Sequence, residues 1–168
     1  AMDDLDYAAK TLGMKVISVN TVRRPIPAVH RKHPDLFPLV SWVETFGLDS
    51  EYDYDPFWAK CVDLGVPVMG HFGGMGFGCR NSPTNYMYNH IGHFAAGAEA
   101  VCKALFMGGV TKRFPDLRIA FLEGGAGWAV ALLNDITEHW EKRNIGALGR
   151  ITDPSLLKRD ELAKYFRQ

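Results

Sequence analysis

One pattern recurs three times along the chain and constrains its fold more than any other feature. An amphipathic segment ends in a short stop signal, and a bounded hydrophobic run follows at once. The first unit places Leu5, Ala8 and Leu12 at helical spacing, stops at Gly13 and continues into Val16-Ile17-Ser18-Val19. The second sets Phe57, Trp58, Cys61 and Val62 ahead of Leu64-Gly65, then the run from Val66 to Phe72. In the third, Phe94, Ala98, Val101 and Leu105 share a face, Phe114-Pro115-Asp116 is the stop, and Leu117 to Leu122 is the run. Apolar residues at i, i+3 and i+4, closed by glycine, mark a capped helix. Short runs that are apolar on both faces mark strands of a parallel sheet covered by helices on both sides. Helix and strand in alternation predict right-handed βαβ units, and so an α/β fold. Pro67 sits at the start of its run, where no ladder donor is lost.

A fourth helix is predicted from Trp128, Leu132, Ile136 and Trp140, which recur every four residues ahead of Glu141-Lys142-Arg143. A last helix is predicted from Asp153-Pro154, an N-cap followed by proline at the first helical position, toward Tyr165 and Phe166. Two segments carry no clean period: residues 21–54, with Pro25, Pro27, Pro34 and Pro38, and residues 73–92, rich in Gly, Asn and Tyr. Both follow the C-terminal ends of strands, where α/β folds place their chemistry.

A length of 168 residues suits one domain with a sizeable core, expected over residues 2–168. Ala1 ahead of Met2 reads as a residue left by a cloning tag. Nineteen basic residues balance nineteen acidic ones without long single-sign runs, which argues against nucleic acid or an anionic membrane as partner. Cys61, Cys79 and Cys102 are odd in number and form no CxxC pair, so a reduced, cytoplasmic setting is expected. No stretch approaches the roughly 20 apolar residues of a membrane span, and no signal peptide opens the chain.

Chemistry is expected from polar residues at strand ends. His71 closes the second hydrophobic run, where an imidazole can ligate a metal, move a proton, or rest as a core histidine on a backbone carbonyl. Glu123 closes the third run ahead of Gly124-Gly125-Ala126-Gly127. A carboxylate buried there needs a cation or a metal beside it, or a raised pKa. It suits a ligand, a general base, a substrate anchor or a structural ion pair. His90 and His93 stand three residues apart where the third helix begins, a spacing that sets both on one helix face. They suit metal ligation, capture of an anionic group, or exposure to solvent. Arg80 follows the glycine-rich stretch from Gly73 to Gly78. That stretch lacks the Lys-Ser/Thr of a phosphate loop, so it reads as a mobile rim with Arg80 free for a carboxylate. Arg23 and Arg24, just after the first strand, suit the same task or a solvated one, Arg24 more the latter. His30 and His33 read as solvated, and Cys79 has no base assigned to it.

The segments Leu64 to Phe72, Met107 to Leu117 and Phe121 to Trp128 together resemble the amidohydrolase-related family. The resemblance is to the branch that contains aminocarboxymuconate-semialdehyde decarboxylase. It implies a (β/α)8 barrel and a divalent metal, most commonly zinc. In that family the metal is held by an HxH pair on the first strand, a histidine ending the fifth and an aspartate on the eighth. His71 matches the fifth-strand histidine. Glu123 stands where many members carry a sixth-strand histidine, and a glutamate there belongs to another branch. Hydrolysis of a C–N or C–C bond near a carboxylate therefore stands beside decarboxylation. No HxH occurs, and nothing resembles the eighth-strand aspartate. A full barrel needs about 250 residues. The expectation is a partial TIM barrel, about three parallel strands equivalent to strands four to six, in a truncated chain.

On this reading His71 binds metal and Glu123 and His93 are catalytic, while Arg80, Arg23 and His90 bind a small carboxylate-bearing substrate. A single imidazole does not hold zinc tightly, so the metal is absent if His71 stands alone. The alternative is a non-catalytic, oligomerising remnant of such a barrel. An unrelated open α/β binding protein is a third reading, against which the lack of a dinucleotide fingerprint counts. Open strand edges and an uncovered apolar face predict a homo-oligomer, or a long loop and final helix wrapped over that face.

Overall fold

A computed structural model describes residues 2–142, apart from 38 and 76; the helix expected from Asp153 lies outside the described residues. The elements follow in chain order. Helix α1 (Met2–Asp6) continues through a π-helical turn, Tyr7–Thr11, and leads to strand β1 (Ile17–Asn20). Then come β2 (Arg23–Pro25), α2 (Pro27–His30), a 3-10 turn at Pro34–Leu36, β3 (Ser41–Val43) and α3 (Asp55–Asp63). Strand β4 (Val68–His71) is followed by a 3-10 turn at Gly78–Arg80, α4 (Tyr86–His90), α5 (His93–Met107) and α6 (Val110–Arg113). Strand β5 (Ile119–Phe121) and α7 (Gly127–Lys142) close the described chain.

The first two predicted stops close their helical segments. The third helix, α5, ends earlier than its predicted stop, at Met107 with Gly108 as C-cap, and Phe114-Pro115-Asp116 follows the short α6 instead. At the end of α3, Gly65 takes φ +65°, its N–H reaches Val62 O at 2.9 Å, and the Val66 N–H reaches Cys61 O at 3.0 Å. These paired bonds are the Schellman cap, which satisfies the last carbonyls and turns the chain into β4. In α7 the residues from Trp128 to Trp140 that are not exposed are Trp128, Leu132, Ile136 and Trp140, the predicted stripe.

Strands β1, β4 and β5 form one parallel sheet in the order β1-β4-β5. Register sets Ile17 beside Val68 and Val68 beside Ile119, while Ser18 faces Met69 and Asn20 faces His71. Side chains alternate across a sheet. Ile17, Val19, Val68, Ile119 and Phe121 therefore share one face, and they pack with Trp58, Cys61, Val101, Leu105 and Val110 of α3, α5 and α6 as the core. This is a partial TIM-barrel arrangement, a three-stranded parallel sheet flanked by helices, as the alternating pattern predicts.

Two expectations are corrected. The sheet is covered on one face only among the described residues, and the open face is not apolar: it presents Ser18, Asn20, Met69, His71 and Ala120. Runs that read as apolar on both sides owe much of that character to small or thioether side chains on the open side. The long loop does not wrap that face either. Its strands β2 and β3 form an antiparallel hairpin, and the loop then runs along the helical side, where Phe46 enters the core. Glu44, 1% exposed, anchors it: Oε1 accepts the Phe46 N–H, while Oε2 accepts the Ser50 hydroxyl and pairs with Arg24 Nε at 3.4 Å. Arg24, expected to be solvated, is thus a buried carboxylate's partner and also donates to Tyr54 Oη at 3.0 Å.

Candidate active site

Three polar side chains end the three parallel strands. His71 is the last residue of β4 and lies on the open face with Met69, two residues before it. Its ring stands edge-on to Phe94, centroids 4.9 Å apart. Glu123 follows β5 by two residues, and its Oε2 lies 3.4 Å from His71 Nε2. The two side chains keep 40% and 59% of their surface exposed, so Glu123 is not the buried carboxylate that its apolar run suggests. The strand ends before Leu122 and lifts Glu123 into solvent. Asn20, on β1, is the register neighbour of His71.

Glu123 has φ +62°, and the Gly124 N–H donates to Leu122 O at 2.9 Å. Those two facts define a γ-turn of the rarer hand, a strained form that persists only where its surroundings hold it. The Leu122 N–H is bonded to Gly70 O at 3.0 Å, and Gly124 is wedged against α5, where an added Cβ would come within 3.1 Å of Ala95 Cα.

The histidines at the α4–α5 junction do not share one helix face. His90 ends α4 and His93 opens α5, with Gly92 between them at φ +76°. The bend folds their rings together at 4.6 Å. His93 is 7% exposed, and neither ring nitrogen has a hydrogen-bond partner among the described residues. Burial pushes its imidazole below the ordinary value of 6.5, and His90, His71 and Arg80 push the same way against Glu123. His93 is therefore neutral at pH 7.

The arginines pin the rim. Arg80 Nη1 donates to Ile91 O at 3.2 Å and lies against Gly92, at the turn that brings the two histidines together. Arg23 Nη2 donates to Met75 O at 3.2 Å, with its guanidinium 4.5 Å over the Phe77 ring. It ties the β1 loop to the β4 loop rather than standing beside His71. Thr21 strengthens that tie, its Oγ1 accepting the Gly73 N–H and donating to Gly73 O at 3.1 Å. His30 and His33 are exposed, as expected, and so is Cys79. Thr21, Asn20 and Glu44 were missed by sequence reasoning, because a short polar residue at a strand end and a loop glutamate carry no motif. For Asn20, its place at the end of the first run is the signal that could have found it.

Among the described residues no three His, Cys, Asp or Glu side chains converge as a metal-binding group. The His71–Glu123 pair nonetheless fits a cation. At 3.4 Å it is longer than a hydrogen bond of about 2.7–3.2 Å. It matches the roughly 3.3 Å that separates two ligands each about 2.0–2.1 Å from one tetrahedral zinc. No helix among the described residues is long and apolar enough to cross a membrane. The sequence profile of one family, described as Amidohydrolase, matches residues 1–156. No protein with a curated description matches the chain.

Proposed function

The chain belongs to the amidohydrolase family, and from that premise we propose that it is a metal-dependent hydrolase or decarboxylase acting on a small carboxylate-bearing substrate. The observation that carries this reading is the His71–Glu123 pair on the ends of adjacent parallel strands, spaced for a shared cation beside a buried, neutral His93. Within the family the proposal places the chain near the branch that contains aminocarboxymuconate-semialdehyde decarboxylase, with a glutamate where that enzyme carries histidine.

His71 would hold the divalent metal, zinc by the nature of its donor. When bound, such a cation supplies Lewis-acid polarisation of a substrate oxygen. Glu123, exposed beside His71, takes a proton from the attacking water and returns it to the leaving group. His93, neutral at pH 7, accepts or returns a proton beside Phe94. Arg80 places positive charge where the substrate carboxylate enters, His90 offers that carboxylate a hydrogen bond, and Arg23 holds the β4 loop through Met75 O. Three strands leave β1 and β5 as open edges among the described residues, so the working form is proposed as a homo-oligomer. Balanced charge and unpaired cysteines suit the cytoplasm.

The second reading is a non-catalytic remnant, in which, among the described residues, no third His, Cys, Asp or Glu side chain joins the His71–Glu123 pair. Elemental analysis of the purified chain separates the two. Near-stoichiometric zinc, manganese or iron that is lost in His71→Ala supports the enzyme. Metal-free protein, even after dialysis against zinc, supports the remnant.

A further inference from the structure

A groove of about 470 Å³ lies between the β2–β3 hairpin, the loop after β4 and α5. Trp42 of β3 and Phe77 of the loop supply aromatic surface, while α5 contributes only the small residues Ala96, Gly97 and Ala100. That bare floor follows from how closely the loop approaches the helix. A Cβ on Gly97 would lie 2.7 Å from Phe72 O, and one on Gly74 would lie 3.3 Å from His93 O. The Gly74 N–H is bonded to that same His93 carbonyl at 2.9 Å. Loop and helix therefore meet backbone to backbone, and the groove beside the contact is floored by Cα hydrogens and methyl groups. Arg23 fixes the Phe77 wall, its guanidinium 4.5 Å over the ring while Nη2 holds Met75 O. Among the described residues that line the groove, Arg80 is the one charged side chain. Its Nη1 is held by Ile91 O at 3.2 Å, while Nε and Nη2 have no hydrogen-bond partner among the described residues. That bond orients the guanidinium and leaves its other donors to a carboxylate.

We propose that this groove binds a small amphipathic monocarboxylate, with its alkyl body between Trp42 and Phe77 and its carboxylate on Arg80. A medium-chain fatty acid is the simplest such ligand. An apolar slot with one polar group to orient the ligand is the usual build of a small-molecule site, and the volume falls within the roughly 300–1,000 Å³ of such sites. With a single cation in the lining, a second carboxylate would be desolvated without a partner, which restricts the ligand to one charge. The groove is open along one side, so it rewards apolar length rather than one flat shape. In the proposed reaction the same guanidinium serves the substrate carboxylate, so an occupied groove competes with substrate for Arg80. That consequence rests on the proposed function, whereas the binding site itself does not.

The test is calorimetric titration of the full chain with octanoate, beside 1-octanol as its neutral counterpart. One octanoate per chain is expected. Arg80→Gln, and exchange of octanoate for octanol on the parent, should each weaken binding at least about tenfold. Ala100→Leu fills the floor with a good helix former and should abolish binding, with unchanged far-ultraviolet circular dichroism. Trp42→Ala, which strips the opposite surface, should weaken binding in parallel. Parent affinity retained in both Ala100→Leu and Trp42→Ala would place the ligand elsewhere, and equal affinity for octanoate and octanol would remove the role of Arg80; either result overturns the proposal. So does a parent chain that takes up no octanoate at millimolar concentration. If Ala100→Leu then converts an associated species into monomer, the groove is a contact between copies of the chain instead. None of these readouts uses a metal, so the metal-dependent reading stands or falls separately.

Discussion

Glu123 holds a left-handed backbone conformation that costs an L-residue roughly 1–2 kcal/mol, and glycine adopts it freely. Glu123→Gly is therefore expected to raise the stability of the metal-free chain by about 1 kcal/mol in urea unfolding while removing metal affinity. A fall in stability would show that the carboxylate contributes more through His71 than the turn costs. His93 gives a second prediction. Its folded pKa is depressed, chiefly by burial. Below the ordinary value of about 6.5 the unfolded chain takes up a proton that the folded chain refuses. Stability present above pH 6.5 is then lost as pH falls through the lower folded value. The urea midpoint should drop between pH 7 and pH 5, and His93→Gln should flatten that slope; an unchanged slope would place the titration elsewhere. His71 and Glu123 were legible in the sequence because each ends an apolar run. Asn20 and Glu44 were not, since what makes them matter is a neighbour distant in sequence.

At the scale of elements, the end of α3 was legible because Gly65 marks it locally, while the end of α5 at Met107 was hidden by the apolar run that continues into α6. The β2–β3 hairpin was not. Its strands are three residues each, one ends in proline, and their pairing of Arg23 with Val43 is set by the loop they close. The loop after that hairpin meets the C-terminal end of α5 closely. A Cβ on Gly108 would lie 1.7 Å from Gly47 O. Gly108→Ala must push the loop off α5 and loosen the Phe46 seat in the core. It is expected to cost about 2 kcal/mol, read as a lower urea midpoint with an unchanged metal-binding site. An effect within about 0.5 kcal/mol would mean that the loop is not held where it touches the helix.

For the whole molecule, the parallel sheet was legible and its covering was not. Reading both faces as apolar overlooked Ser18, Asn20 and Ala120, whose small or polar side chains leave one face open. Association is then expected through the strand edges rather than through a greasy face. Sedimentation velocity should show a dimer or larger species that responds weakly to detergent; a monodisperse monomer at micromolar concentration would count against it. The register carries one more consequence. Ile17 pairs with Val68, and Val68 with Ile119, so each ladder closes a loop of about fifty residues. On the ribosome, at about 5–20 residues per second, β1 emerges several seconds before β4 exists to pair with it, and β4 waits as long for β5. Nascent β1 spends that interval without its ladder partner, with Ile17 and Val19 uncovered.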